Sequence, residues 1–371
     1  MKNKSTIPIF SPYVSPRAVK FAAEVLSSGY IGQGRVVKQF EQKLKSKLGV
    51  YNPVAVNSGT SALYLALALA GVGSGDEVIT TPQTFMATSH VILALGARPV
   101  FTDIQYYTGN MDPQDIEHRI TEKTKAIMPV HWAGYPCDMG QINRLADKYD
   151  LPVIEDAAQA LGAHYKGKPI GAVSSYTCFS FQAVKQITSV DGGMLCVKDK
   201  TKYREAVRRR WFGIDRERRK PHILGEPAWN VKEIGYKFHM NDVLAAVGLK
   251  NFEEFDKIHK HLNRISQIYR KGLNKIPGIS LFEDKPDRAS GYWVFCMHVK
   301  KRVGFIKAMN KRGIGASVVH LRIDRNDIFG PVRKGLPNLE RFTRTMVCLP
   351  LHYKVSVKDA GYIVRSIKKG W

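Results

Sequence analysis

Short apolar runs of strand length alternate along this chain with stretches of helical period, and that alternation limits the fold more than any other feature. "PVAVN" (53–57) is followed by "GTSALYLALALAGV", and "EVITT" (77–81) by "SHVILALGA". "RPVFTDI" (98–104), "KAIMPVH" (125–131) and "LPVIED" (151–156) continue the series, with "MGQINRLADKYD" as a helix before the last. "YTCFSF" (176–181) and "GGMLCVK" (192–198) add two more strands. Strands apolar on both faces and separated by helices predict an α/β fold, a three-layer sandwich around a mostly parallel sheet. Near residue 245 the pattern changes. A long helical stretch leads to a smaller α+β region that holds "SGYWVFCMHVK" (290–300) and the helix "VGFIKAMNKRG". We expect a large domain over 1–245, its N-terminal segment able to pack on the small domain, and a small C-terminal domain over 246–371.

A hydrophobic content of 44% supplies a sizeable core. The most apolar stretch, "SALYLALALAGVG", is too short to span a bilayer, and "MKNKSTIPIFSPYV" does not read as a signal peptide. No membrane insertion and a cytoplasmic location are expected. Cys137, Cys178, Cys196, Cys296 and Cys348 form no CxxC pair and are odd in number. Buried free thiols are therefore expected, with neither a zinc site nor disulfides. The formal charge of +25 points to acidic partners. It is densest in "KYREAVRRRWFGIDRERRK" (202–220), where nine basic residues face three acidic ones, 9 − 3 = +6. That run reads either as a solvated helix face or as an anion-binding lip. No nucleic-acid recognition motif accompanies it, so no nucleic-acid partner is expected.

Ligands in open parallel sheets sit at the carboxyl ends of the strands. Three polar clusters fall there. Ser58, Gly59 and Thr60 open a helix after the first strand, which makes either a phosphate cradle or a plain helix cap. Glu155, Asp156 and Gln159 follow "LPVI"; Asp156 reads as an N-cap or as the partner of a protonated ring nitrogen. Lys185, in "FSFQAVKQITSVDGG", lies beyond the end of "YTCFSF". A lysine there is either a surface loop residue or a desolvated amine with its lone pair freed. Anion site, carboxylate and amine together meet the needs of pyridoxal 5'-phosphate. The lysine carries the cofactor at rest and moves protons once displaced. Phe85, in "PQTFMAT", is placed to stack on the ring, or else is core.

The ordered set "NSGTSAL", "EVITTPQTFMAT", "PVFTDI", "MPVHWAGYPCDM", "VIEDAAQALGAHY", "FSFQAVK" and "DGGML" resembles the DegT/DnrJ family of sugar aminotransferases. These are pyridoxal-phosphate enzymes of the aspartate aminotransferase fold (fold type I). The likeness runs from about Ile7 to "CLPLHYKVS". It implies that Lys185 is the Schiff-base lysine and Asp156 the pyridinium partner. Gln159 would sit near the phenolic oxygen, Phe85 on the ring, and Ser58, Gly59, Thr60 and Ser180 on the phosphate. It also implies a homodimer with shared active sites, a nucleotide-linked 3- or 4-keto deoxyhexose as substrate, and L-glutamate as donor. This chain reads "GYKFHM" (235–240) where the family often has "GYNYRM". Lys237 then stands for an asparagine that reaches the neighbouring subunit's phosphate, as a point charge instead of an amide. Arg209, Arg210 and Trp211 are expected to line a lip for the nucleotide, and His320 to touch substrate. His131 is expected to be structural and His352 to be packing, with no metal site. A related sugar dehydratase replaces the lysine with histidine, and a non-catalytic regulator would have a degenerate site; Lys185, Asp156 and the cradle argue against both.

Overall fold

The computed structural model describes residues 6–216 and 221–371. In chain order the first strands are β1 (Pro53–Val56), β2 (Glu77–Thr80), β3 (Arg98–Phe101), β4 (Thr124–Met128) and β5 (Ile154–Asp156). A small hairpin, β6 (His164–Tyr165) and β7 (Lys168–Pro169), follows, then β8 (Tyr176–Ser180) and β9 (Gly193–Val197). Two pairing groups, β1-β9-β8-β5 and β3-β2-β4, are joined by parallel bridges from Ile127 to Val153 and from Val130 to Asp156. The central sheet therefore runs β1-β9-β8-β5-β4-β2-β3. Every residue of β1, β2, β5, β8 and β9 is buried, as strands covered on both faces must be.

One strand departs from the parallel run. β9 is antiparallel to both β1 and β8. The β8–β9 connection, residues 181–192, holds no helix to make a crossover, and the chain turns back. That return places the whole connection, Lys185 included, at the carboxyl end of β8.

Helix Gly59–Leu69 is buried nearly all round and packs on β8 and β9. Helices Pro16–Ser27 and Arg35–Leu48 pack on helix Asp242–Glu253. Asp242 fastens this group: its carboxylate accepts from the N–H groups of Gly34, Val36 and Val37. The 19-residue helix Phe255–Leu273 then leads to the small antiparallel sheet of β10 (Ile279–Leu281), β12 (Phe295–Val299) and β13 (Met346–Leu349). The two-residue β11 (Arg288–Ala289) pairs instead with β6 of the large domain. The N-terminal segment reaches this region too, with Ile7 exchanging backbone bonds with Gly313 and Gly315. All five cysteines are buried and free. Among the described residues no helix is long and apolar enough to cross a membrane, and no cluster of side chains has the makings of a metal site.

Candidate active site

The strand ends converge on a cavity of about 380 Å³, lined among others by Ser58, Gly59, Thr60, Phe85, Asp156, Gln159, Ser180, Lys185 and His320. Nine residues singled out in the sequence therefore share one space. Ser58 caps helix Gly59–Leu69, its Oγ accepting from Ser61 N at 3.0 Å. The first turn of a helix leaves N–H groups without an intrahelical acceptor. Here those of Gly59 and Thr60 belong to residues on the cavity wall. A Cβ on Gly59 would come within 2.8 Å of Ser180 Cβ. Only glycine lets the helix start approach β8 this closely.

Asp156 is buried at the end of β5. Its Oδ2 accepts from Thr88 Oγ1 at 2.7 Å and its Oδ1 from Ala158 N at 3.1 Å. Thr84 Oγ1 lies 2.7 Å from Thr88 Oγ1, and because Thr88 gives its proton to Asp156, Thr84 donates in turn. Burial pushes the carboxyl above the usual aspartate range, against those hydrogen bonds and the charge of Lys185. Behind it, His131 Nδ1 accepts from Cys137 N at 3.1 Å, so Nε2 carries the proton and donates to Glu155 Oε2 at 2.9 Å. Both side chains are wholly buried. His131 is therefore a structural brace beneath the Asp156 strand end. Gln159 Oε1 accepts from Ala133 N at 2.7 Å.

Lys185 Nζ lies 4.2 Å from the centroid of the Trp293 ring. Burial lowers the amine from its ordinary value to about 8, and the Asp156 charge works the other way. An appreciable share of the amine is thus unprotonated near neutrality, as a nucleophile or proton carrier requires. His320 packs against Trp293, ring centroids 5.7 Å apart, and against Phe85 at 5.3 Å. Burial first, then the Lys185 charge, lowers its imidazole to about 4. It is neutral at working pH. Val319, just before it, holds a φ of 58°, a strained setting for a β-branched residue. Phe85 is 56% exposed, a large aromatic face left open over the cavity. His352 donates from Nε2 to the Pro8 carbonyl and lies away from this cavity.

Two expectations need correction. Arg210 is 5% exposed and is held by Glu41 and the Ala55 carbonyl. Arg209 is paired with Glu205 at 2.9 Å and Glu233 at 3.4 Å, and bonds the Ala68 carbonyl. Neither lines its own chain's cavity, and carboxylates of this same chain already match their charge. Replacing Arg210 with alanine strands the Glu41 carboxylate and is expected to cost stability, about 3–5 kcal/mol, read as a lowered denaturant midpoint; a change below 1 kcal/mol would refute the pairing. The end of the basic run, residues 217–220, lies outside the described residues. Trp211 and Lys237 are bridged through their backbones, with Lys237 Nζ 5.7 Å from the Trp211 ring. Lys237 is exposed and does not line its own chain's cavity.

The sequence reading missed Thr84, Thr88, Gln182, Asp191 and Trp293, all on the cavity wall. Thr84 and Thr88 flank Phe85 within the quoted "PQTFMAT", and their spacing of four was the available signal. Trp293 arrives from the small domain and had none.

These features fit pyridoxal phosphate: a helix start at Gly59–Thr60 on the cavity wall, packed so close to Ser180 that a Cβ would clash, a buried carboxylate that no cationic side chain pairs with among the described residues, and a desolvated amine. They define a pyridoxal-phosphate-dependent enzyme of the fold-type-I class. Comparison with known proteins carries this further: residues 13–368 match the DegT/DnrJ/EryC1/StrS aminotransferase family, and the chain belongs to it. The sugar aminotransferase CalS13 of Micromonospora echinospora superposes with a TM-score of 0.93 at 35% identity, over 98% of this chain and 100% of that one. The pyridoxal-phosphate form of a sugar aminotransferase, Spr1654 of Streptococcus pneumoniae, gives 0.90 at 28% identity, with 98% of each chain covered. GDP-perosamine synthase of Escherichia coli O157:H7 is 36% identical over 78% of this chain and 76% of its own. The protein is a pyridoxal-phosphate-dependent sugar aminotransferase.

Proposed function

We propose that the enzyme transfers an amino group from L-glutamate to a nucleotide-linked 3- or 4-keto deoxyhexose. The observation that carries this reading is the convergence of Lys185, Asp156 and the Ser58–Thr60 cradle on one cavity walled by Phe85, Trp293 and His320. The likeness to GDP-perosamine synthase supports the nucleotide-linked sugar. Bound in this cavity, pyridoxal phosphate supplies an electron sink for charge left on the carbon that loses its proton.

The chain's own residues do the rest. The N–H groups of Gly59 and Thr60, with the Ser58 and Ser180 hydroxyls, hold the phosphate at the helix start. Asp156, oriented by Thr88 and the Ala158 N–H, would pair with the ring nitrogen and favour its protonated form. Gln159 and Phe85, on the wall of the same cavity, would help hold the ring. Lys185 Nζ holds the group covalently at rest and, once freed, takes up and returns a proton. His320, neutral, offers the sugar a hydrogen-bonding edge without competing for that proton. Because the freed amine must be unprotonated, kcat should rise through an acid limb near pH 8. A pH–rate profile flat across that value would contradict this role.

A homodimer completes the site in this reading. Lys237 and Trp211 of one subunit point outward and serve the neighbour's cofactor phosphate and nucleotide. Lys237→Ala should then weaken cofactor retention by about tenfold, the worth of one hydrogen bond to a charged group. Equilibrium dialysis checks this, and unchanged retention would remove Lys237 from the phosphate site. The substrate assignment is tested with a panel of nucleotide-linked 3-keto and 4-keto sugars, read as loss of pyridoxamine absorbance. Turnover of none of them would overturn it.

A further inference from the structure

A second and much smaller cavity, about 20 Å³, also reaches Lys185. Its other walls come from the N-terminal segment at Phe10–Tyr13, helix Phe255–Leu273, Tyr292–Trp293 and the segment Leu351–Tyr353. That volume suits one water molecule and little else. Two lining side chains carry buried polar atoms with no protein partner, Gln186 Oε1 and His352 Nδ1. Gln186 is only 8% exposed and His352 9%.

Hydrogen-bond direction fixes what each atom needs. His352 Nε2 lies 3.0 Å from the Pro8 carbonyl oxygen. A carbonyl only accepts, so Nε2 carries the proton. Burial pushes the imidazole pKa down, the ring stays neutral, and Nδ1 is an acceptor. Gln186 Nε2 donates to the carbonyls of Gln159 and Gly291, which leaves Oε1 as an acceptor too. Two acceptors on one void cannot satisfy each other. They need a small donor with two protons.

We propose that this cavity binds one ordered water that donates to Gln186 Oε1 and His352 Nδ1 and accepts from Lys185 Nζ. Three partners are what a buried water ordinarily makes. The water holds the freed amine in place and, by accepting from it, favours its protonated form. Other titratable groups face Lys185 as well: Asp156, Asp191 and His320 from the larger cavity, and Tyr13, Tyr292 and Tyr353 from the smaller one. Lys354, His261 and Asp359 act on His352. None of these supplies the two missing protons. The water's binding stands on the void and its two unpartnered atoms; its effect on Lys185 rests on the role assigned to that residue above.

A high-resolution crystal structure of the wild-type holoenzyme is the first test. The expected result is a water peak within hydrogen-bonding distance of both Gln186 Oε1 and His352 Nδ1. A map without that peak overturns the proposal, and this arm needs no variant. The second test is His352→Phe, which removes one acceptor at similar size. The peak should vanish, and the acid limb of kcat should move to lower pH by about half a unit or more, since the ammonium loses an acceptor. A folded variant with an unmoved limb overturns the link to Lys185. Hydride trapping on position 185, done separately, shows whether the role of that residue itself has failed.

Discussion

Lys185→Ala is expected to slow amino transfer by about 10²–10⁴-fold or more, the usual contribution of a positioned acid–base group, while the protein stays folded. Its amine is desolvated and held near the Trp293 ring, and among the described residues no carboxylate is bonded to it, so its loss strands no buried ion-pair partner there. Lys185→Arg should fail equally. Guanidinium keeps the positive charge yet cannot give up its proton in the working range. A substantially active arginine variant would mean that charge alone suffices. Stopped-flow absorbance of each half-reaction, with the melting temperature as a control for folding, separates these outcomes.

Asp156→Asn is expected to have the second largest effect, a fall in kcat of about 10²–10³-fold. The substitution keeps the shape and can still accept from Thr88 Oγ1 or Ala158 N. What it removes is a negative charge in a buried setting, where charge acts most strongly. A neutral amide cannot hold a ring nitrogen in its protonated form. The absorbance of the bound cofactor should shift with the rate. An asparagine variant with wild-type kcat would show that this carboxylate faces something other than the ring nitrogen.

How much of this was readable in the sequence follows from where each signal lies. Lys185, Asp156 and Ser58–Thr60 were visible because each lies at or within a few residues of a strand's carboxyl end, and apolar periodicity marks strand ends well. The reversal of β9 was not legible, because the twelve residues between β8 and β9 are long enough for either a turn or a crossover. Arg209 and Arg210 were misread because the partners that neutralise them lie elsewhere in the chain. Glu41 is 169 residues from Arg210, and local charge density says nothing about such pairings. Thr88 meets Asp156 across 68 residues, and Trp293, which packs on Lys185, lies far along the chain from it. The smaller cavity beside Gln186 and His352 is further still from any sequence pattern, since it depends on five separate segments closing on one void.

The account turns on which side chain bears the covalent bond to pyridoxal phosphate. Reduction of the holoenzyme with borohydride, followed by proteolysis and mass spectrometry, reads this directly. A phosphopyridoxyl adduct on Lys185 is the predicted result; an adduct on another lysine, or none, would contradict the account.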